Sequence, residues 1–283
     1  MKYRMIAFDL DYTLLDSQSL VSPENRDAVE RAQQAGILIV PCTGREWHTG
    51  KAIGLDHLPP LLSGVFKDGA IICDVATGQV SRPIVFTNQL AHRILDLVGD
   101  SPVAILICRL ASDGRCDYLI AGDGPAAARL EQSWSRHAAG HLSVAKRPPR
   151  DDVNDVLEIR LYAPAAEPVA TSQRMLDKFD EPLIMRTWPP AAVSEDHVLQ
   201  VYAPNVDKWP ALVWLAAQNG IAPTEIAMIG DHVNDVSAIQ GAGCGIAMGN
   251  AVDQARAAAD RITYDCDSDG LAHAIDQLLT GRW

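Results

Sequence analysis

The sequence predicts an α/β fold, a doubly wound parallel-sheet core interrupted by an inserted α+β domain. Three observations carry this reading. Met5-Ile6-Ala7-Phe8 and Ile226-Ala227-Met228-Ile229 are continuous apolar runs, the pattern of central parallel strands buried on both faces. Both runs stop in acid, at Asp9-Leu10-Asp11 and at Gly230-Asp231-His232-Val233-Asn234-Asp235. The carboxyl ends of parallel strands are where such folds place their ligands. Between about Pro83 and Ala203 the rhythm changes to short strands, turns and an alternating apolar-polar segment, which marks a second domain.

Element by element, the first part alternates strand and helix. Ser22-Pro23-Glu24 has the form of an N-cap, a proline at the first helical position and an acidic first turn. It opens a helix over Pro23 to Ala35 that stops at Gly36. Ile37 to Cys42 is a second buried strand, ending at Thr43-Gly44-Arg45. Leu61 to Gly64 and Gly69 to Asp74 are shorter extended pieces around a turn.

In the inserted region, Val103 to Leu110 and Tyr118 to Ala121 read as strands joined by the turn Ser112-Asp113-Gly114-Arg115. A helix over Pro125 to Ala139 follows. Val156 to Tyr162 alternates as a half-exposed antiparallel strand does, so one sheet face is expected to be solvated. A helix over Val169 to Phe179 leads to strands near Leu183 to Arg186 and Val198 to Tyr202, and Lys146 to Asp152 is a solvated loop. The α/β rhythm then returns. Lys208 opens an apolar-periodic helix that ends at Asn219-Gly220, and a helix over Asp235 to Gln240 leads to a strand over Gly245 to Gly249. The resulting organisation is a core of residues 1–82 plus 204–283 with an insert of residues 83–203.

Bulk properties bound the function. At 283 residues, one large or two modest domains fit. The formal charge of -12 disfavours nucleic acid or an anionic membrane as partner. An anionic substrate remains compatible, because a metal and a few cations can reverse the field inside a site. The six cysteines form no C-x-x-C pair and read as reduced, buried small residues. The N-terminal apolar run is too short for a signal peptide, and no segment approaches the roughly 18 apolar residues of a membrane helix. The expected location is the cytoplasm.

Asp9 and Asp11 stand two residues apart at a strand end, so both can face one ligand. One could attack a phosphorus atom while the other gives and takes a proton; a solvated turn is the plain alternative. Asp231 can supply a metal ligand, and Asp235 one helical turn on can reach the same ion or cap the next helix. Thr43 offers a hydroxyl and an N–H to a phosphoryl oxygen, or serves only the strand end. Lys208 sits at a helix start, where the dipole disfavours cations. A nearby anion explains that placement, and so does a surface position.

Together these segments resemble the haloacid dehalogenase superfamily, and within it the Cof-type branch with a large C2-type α/β cap. The residues that carry the resemblance are Asp9-Leu10-Asp11-Tyr12-Thr13, Thr43-Gly44-Arg45, Lys208, Gly230-Asp231-His232-Val233-Asn234-Asp235 and Gly243 to Ala251, all in family order. The resemblance spans nearly the whole chain, and only its topology extends to the middle. It implies a Rossmann-like core, Asp9 as the nucleophile that forms an aspartyl-phosphate, and Asp11 as the general acid/base. It further implies that Thr43 and Lys208 hold the phosphoryl group, and that Mg²⁺ lies between Asp9, the backbone carbonyl of Asp11 and Asp231, with Asp235 close by. Gly44, Arg45, Lys67, Asp68 and Asn234 are candidate substrate-binding residues.

Three departures stand out. The chain has Lys208-Trp209-Pro210 where the family usually has Lys-Gly, Lys67-Asp68-Gly69-Ala70 where it usually has Asn-Gly-Ala, and Ala238 where Met is common. The expected activity is a Mg²⁺-dependent phosphatase acting on a small phosphorylated metabolite, a sugar phosphate first, in a monomer or homodimer. A sugar phosphomutase and a non-catalytic sugar-phosphate sensor are the rivals. An acidic residue at position 11 argues against the dehalogenase branch, which needs no proton donor for an alkoxide.

Overall fold

The computed structural model describes residues 2–135, 142–148, 153–188, 190 and 195–283. The chain divides into two compact units, Met1–Arg82 with Asp207–Trp283, and Pro83–Val206.

The first unit is built on a five-stranded sheet in the order Arg261–Ile262, Cys244–Ala247, Ile226–Gly230, Met5–Phe8, Leu38–Pro41. Every pairing in it is parallel. Met5 to Phe8 and Ile226 to Ile229 are fully buried, as their unbroken apolar sequences require. Register sets up the chemistry. Phe8 pairs with Ile229 on one side and Pro41 on the other, so Asp9, Asp231 and Thr43 emerge at one edge of the sheet.

The helix over Pro23–Gln34 forms as its sequence dictates. The Ser22 hydroxyl accepts from the Asn25 N–H at 3.1 Å, Pro23 occupies the first turn, and Gly36 has φ +80°. It packs on a C-terminal helix, Gly270–Leu279. The buried Asn25 side chain donates to the Leu14 carbonyl at 3.1 Å and accepts from the Ala272 N–H at 2.9 Å, fastening both to the loop after the first strand. A three-stranded sheet of Ser63–Phe66, Ile71–Asp74 and Val80–Pro83 completes the unit. The sequence reading did not extend to the helix at Trp47–Ile53, the strand Arg261–Ile262 or the C-terminal helix.

The second unit carries a six-stranded sheet in the order Ile184–Trp188, His197–Tyr202, Val156–Ala163, Ala104–Leu110, Cys116–Ala121, Leu142–Ala145. All pairs are antiparallel except the last, which is parallel. Among the described residues three helices accompany it, Asn88–Val98, Pro125–Trp134 and Ala166–Leu176. The expected helix over Pro125 to Ala139 thus stops at Trp134, and residues 136–141 lie outside the described residues, as do residues 149–152 of the Lys146 to Asp152 loop.

One expectation is overturned. Val156 to Tyr162 alternates in sequence, yet only Arg160 is partly exposed, and Glu158 is 1% exposed. The polar face is closed by a network rather than by water. Glu158 accepts from Arg160 and from Gln200 Nε2, while Gln200 also donates to the Tyr202 hydroxyl at 2.8 Å and accepts from Trp188 Nε1 at 3.2 Å. Alternation fixes which residues share a face; it leaves open whether that face meets solvent or other polar side chains. Among the described residues no helix is long and apolar enough to cross a membrane.

Candidate active site

The first strand leads through Asp9 into an irregular turn at Leu10–Leu14, closed by the Leu15 N–H donating to the Leu10 carbonyl at 2.8 Å. Asp9 is anchored there by its N–H, which donates to the Ile229 carbonyl at 3.0 Å, and the residue is 5% exposed. Tyr12 adopts φ +54°, an uncommon conformation for a bulky residue, and its carbonyl accepts from Asn250 Nδ2 at 2.9 Å. That bend presents Thr13 to the second acidic loop, where its hydroxyl donates to Asp231 Oδ1 at 3.4 Å.

Lys208 begins the helix Lys208–Gln218, whose N-cap Asp207 accepts from the Trp209 N–H at 3.2 Å. Its ammonium is fully buried and donates to Asp9 at 3.0 Å and to Asp235 at 2.6 Å. The anions that offset its unfavourable place on the helix dipole are therefore the chain's own carboxylates. Asp235 uses its other oxygen to accept from the N–H groups of Asp231 at 3.1 Å and His232 at 3.0 Å. It shapes its own loop while holding the lysine.

The unusual Trp209-Pro210 pair is accommodated locally. A Cβ added at Gly241 would lie 2.2 Å from the Trp209 ring, so the indole fills the space that only glycine leaves free. Proline within the first helical turn forfeits no intrahelical bond. Ala238 is fully buried in the core.

Thr43 is 1% exposed, and its hydroxyl accepts from the Arg45 N–H at 3.2 Å. Arg45 grips Asp11 through two bonds, Nε at 2.7 Å and Nη2 at 2.6 Å, the bidentate geometry that guanidinium and carboxylate favour. Asp68 accepts from Asn234 Nδ2 at 2.8 Å and lies against Gly44. Lys67 is placed differently from a substrate cation, for its ammonium is fully buried and paired with Glu46. Glu46 and Thr13 are the site residues that the sequence reading did not single out. Nothing in the spacing flags Glu46, whereas the Asp-x-Thr step already held Thr13.

The electrostatics show an excess of negative charge. Burial raises the Asp9 carboxyl well above its ordinary range, with Lys208 opposing and Asp235 and Asp231 adding to the rise. Burial and then Asp235 lift Asp231 to about 7. Burial alone would lower Lys208, but Asp235 and Asp9 together outweigh it and hold the ammonium protonated. Oxygen atoms of Asp9, Asp231 and Asp235 lie within 4.8 Å of one another. An all-oxygen donor set with more carboxylates than cations fits a hard divalent ion. Asp11 stands outside that carboxylate triad because its side chain is committed to Arg45.

Parallel-strand ends that gather three carboxylates, two of them on one buried lysine, suit a hydrolase that transfers phosphoryl groups, and the comparisons with known proteins identify the class. The haloacid dehalogenase-like hydrolase family matches residues 6–275, and the chain belongs to that family. It is 29% identical over 301 residues to the 5-amino-6-(5-phospho-D-ribitylamino)uracil phosphatase YwtE of Bacillus subtilis (strain 168), covering 99% of both chains. It is 28% identical over 290 residues to phosphatase YwpJ of the same organism, covering 98% of this chain and 100% of that one. Its fold matches that of a haloacid dehalogenase-like hydrolase from Bacteroides thetaiotaomicron with a TM-score of 0.75 at 23% identity, covering 98% and 99% of the two chains.

Proposed function

We propose that this protein is a Mg²⁺-dependent phosphatase that hydrolyses a small phosphorylated metabolite, a sugar phosphate, through an aspartyl-phosphate on Asp9. The observation that supports this most is the convergence of Asp9, Asp231 and Asp235 oxygens beside the buried Lys208 ammonium, which donates to Asp9 and Asp235. Phosphoryl transfer asks chiefly for positioning and charge neutralisation.

A carboxylate oxygen of Asp9 attacks phosphorus, and the ester oxygen departs with a proton from Asp11. Asp11 then takes a proton from water as that water attacks the aspartyl-phosphate, which returns Asp9 and releases phosphate. Arg45 holds both Asp11 oxygens in the resting site, so that pair opens and Asp11 takes up a proton from solvent before the first turnover; later turnovers use the proton it takes from the attacking water. Lys208 and the Thr43 hydroxyl hold the phosphoryl oxygens. Asp9, the Asp11 carbonyl, Asp231 and Asp235 are assigned to Mg²⁺. When bound, the ion neutralises phosphoryl charge and relieves repulsion among the carboxylates.

The named activity of YwtE supports a phosphorylated metabolite as substrate. Choice among such metabolites is assigned to the insert, residues 83–203. The absence of a disulfide among the six cysteines, all of them in described residues, supports a reducing compartment, the cytoplasm.

The test is phosphate release from p-nitrophenyl phosphate by the purified protein. Activity should require Mg²⁺, vanish with excess chelator and return on adding the ion back. Full activity in excess chelator would overturn the metal assignment, and no release from a broad panel of phosphate esters would overturn the phosphatase.

A further inference from the structure

The turn Lys67–Gly69 has three consecutive residues at positive φ, Lys67 at 51°, Asp68 at 56° and Gly69 at 102°. Two are large, charged and almost wholly buried, at 0% and 1% exposed. Left-handed backbone at non-glycine positions carries a cost and persists only where its surroundings over-determine it.

Those surroundings are the loops of the active site. The Lys67 N–H donates to the Arg45 carbonyl at 3.1 Å, and its ammonium pairs with Glu46 just beyond. The Asp68 N–H donates to the Thr43 carbonyl at 3.1 Å. Its carboxylate accepts from Asn234, in the loop between Asp231 and Asp235. That carboxylate also lies 3.1 Å from where a Cβ on Gly44 would be. A Cβ on Gly69 would fall 2.2 Å from the carbonyl of Asp207, the residue that caps the Lys208 helix. One three-residue turn thus touches the chain at 43–46, at 207 and at 234.

We infer that Asp68 is a positioning residue: it ties the Thr43 loop to the Asp231–Asp235 loop, so that Thr43 and Lys208 meet one phosphoryl group in fixed register. The inference rests on the proposed phosphatase reading, and it removes Asp68 from the groups that touch substrate. Burial and the bond to Asn234 both point this way. A carboxylate is moreover a poor neighbour for a phosphate dianion unless its charge serves the protein, and here its field reaches Lys208.

The experiment uses Asp68→Ala, Asp68→Asn and Asn234→Ala in the full chain. Turnover is read with p-nitrophenyl phosphate and with glycerol phosphate, and inorganic phosphate binding to the Mg²⁺-loaded protein is read by titration calorimetry. Small misplacements of holding groups are expensive. Asp68→Ala should therefore weaken phosphate binding and raise KM for both esters by one common factor, on the order of tenfold. Asp68→Asn keeps an acceptor for Asn234 and should restore binding to within about threefold of the parent. Adding Asn234→Ala to Asp68→Ala should cost little more, since both cut one tie.

If Asp68→Ala fails to fold, Asn234→Ala reads the same tie from its other end. The inference falls if Asp68→Asn is as damaging as Asp68→Ala. It also falls if the penalty differs between the two esters while phosphate binding is unchanged, which is the mark of direct substrate contact. A parent protein that binds phosphate and loses that binding in Asp68→Ala, yet releases none from esters, would sink the phosphatase and leave the tie standing.

Discussion

At the edge of the parallel sheet, the carboxylates of Asp9, Asp231 and Asp235 cluster, and one ammonium, that of Lys208, donates to Asp9 and Asp235. In the antiparallel unit, each buried carboxylate of the described residues has an arginine partner, Glu158 with Arg160 and Asp196 with Arg129, and the half-buried Asp117 is paired with Arg109. Both regions bury carboxylates, and only one leaves negative charge over. Balanced buried charge is a packing solution whose two halves offset each other's desolvation. Unbalanced buried charge is a standing demand for a cation or for substrate, and it marks chemistry. The comparison predicts that substitutions in the first region change rate and those in the second change stability.

The largest effect should come from Asp9→Asn. An amide cannot attack phosphorus, so turnover should fall by more than roughly a thousandfold and no acid-stable phosphoenzyme should form. The fold should survive, because the Asp9 N–H bond to Ile229 is a backbone bond. Phosphoenzyme trapped on the variant would show that the nucleophile lies elsewhere.

Asp11→Asn comes next. Its carbonyl survives substitution while its proton chemistry does not, so turnover should drop on the order of 10²-fold. The drop should be smaller for an aryl phosphate than for an alkyl phosphate, since a good leaving group needs less protonation. Equal losses on both substrates would show that the proton comes from another group.

Lys208→Ala should cut turnover by roughly tenfold or more. It also removes the cation that pairs with both Asp9 and Asp235, so its Mg²⁺ requirement should steepen. Near-normal turnover and an unchanged metal titration would mean that Lys208 neither holds the phosphoryl group nor balances the carboxylates.

The same contrast explains what could be read from the chain alone. Continuous apolar strands ending in Asp9 and Asp231 are local patterns, and the parallel sheet turns them into one edge through the Phe8–Ile229 register. Fold and carboxylates were therefore legible. Lys67 and Glu46 were not, because their pairing depends on left-handed backbone at residues 67–68 that no spacing announces. The Glu158–Gln200 contact spans 42 residues and closes a face that alternation assigned to water. Long-range polar pairing leaves almost no one-dimensional trace, whereas strand ends do.

The smallest expected effect on rate tests the balanced side of the comparison. Glu158 is 1% exposed and accepts from both Arg160 and Gln200, so Glu158→Ala takes one acceptor from each of those donors. Leaving buried donors unsatisfied costs about 1–3 kcal/mol each. The denatured midpoint in urea should fall, and with two compact units the loss should appear as an earlier step rather than a shift of the whole transition. Glu158→Gln keeps an acceptor and should lose less. Turnover of p-nitrophenyl phosphate at low temperature should stay within about threefold, because no group of the Asp9 cluster is touched. If Glu158→Ala leaves the urea transition untouched and instead changes which phosphate esters are hydrolysed, the Glu158 network is a recognition surface, and balanced charge in this fold is no guide to structural role.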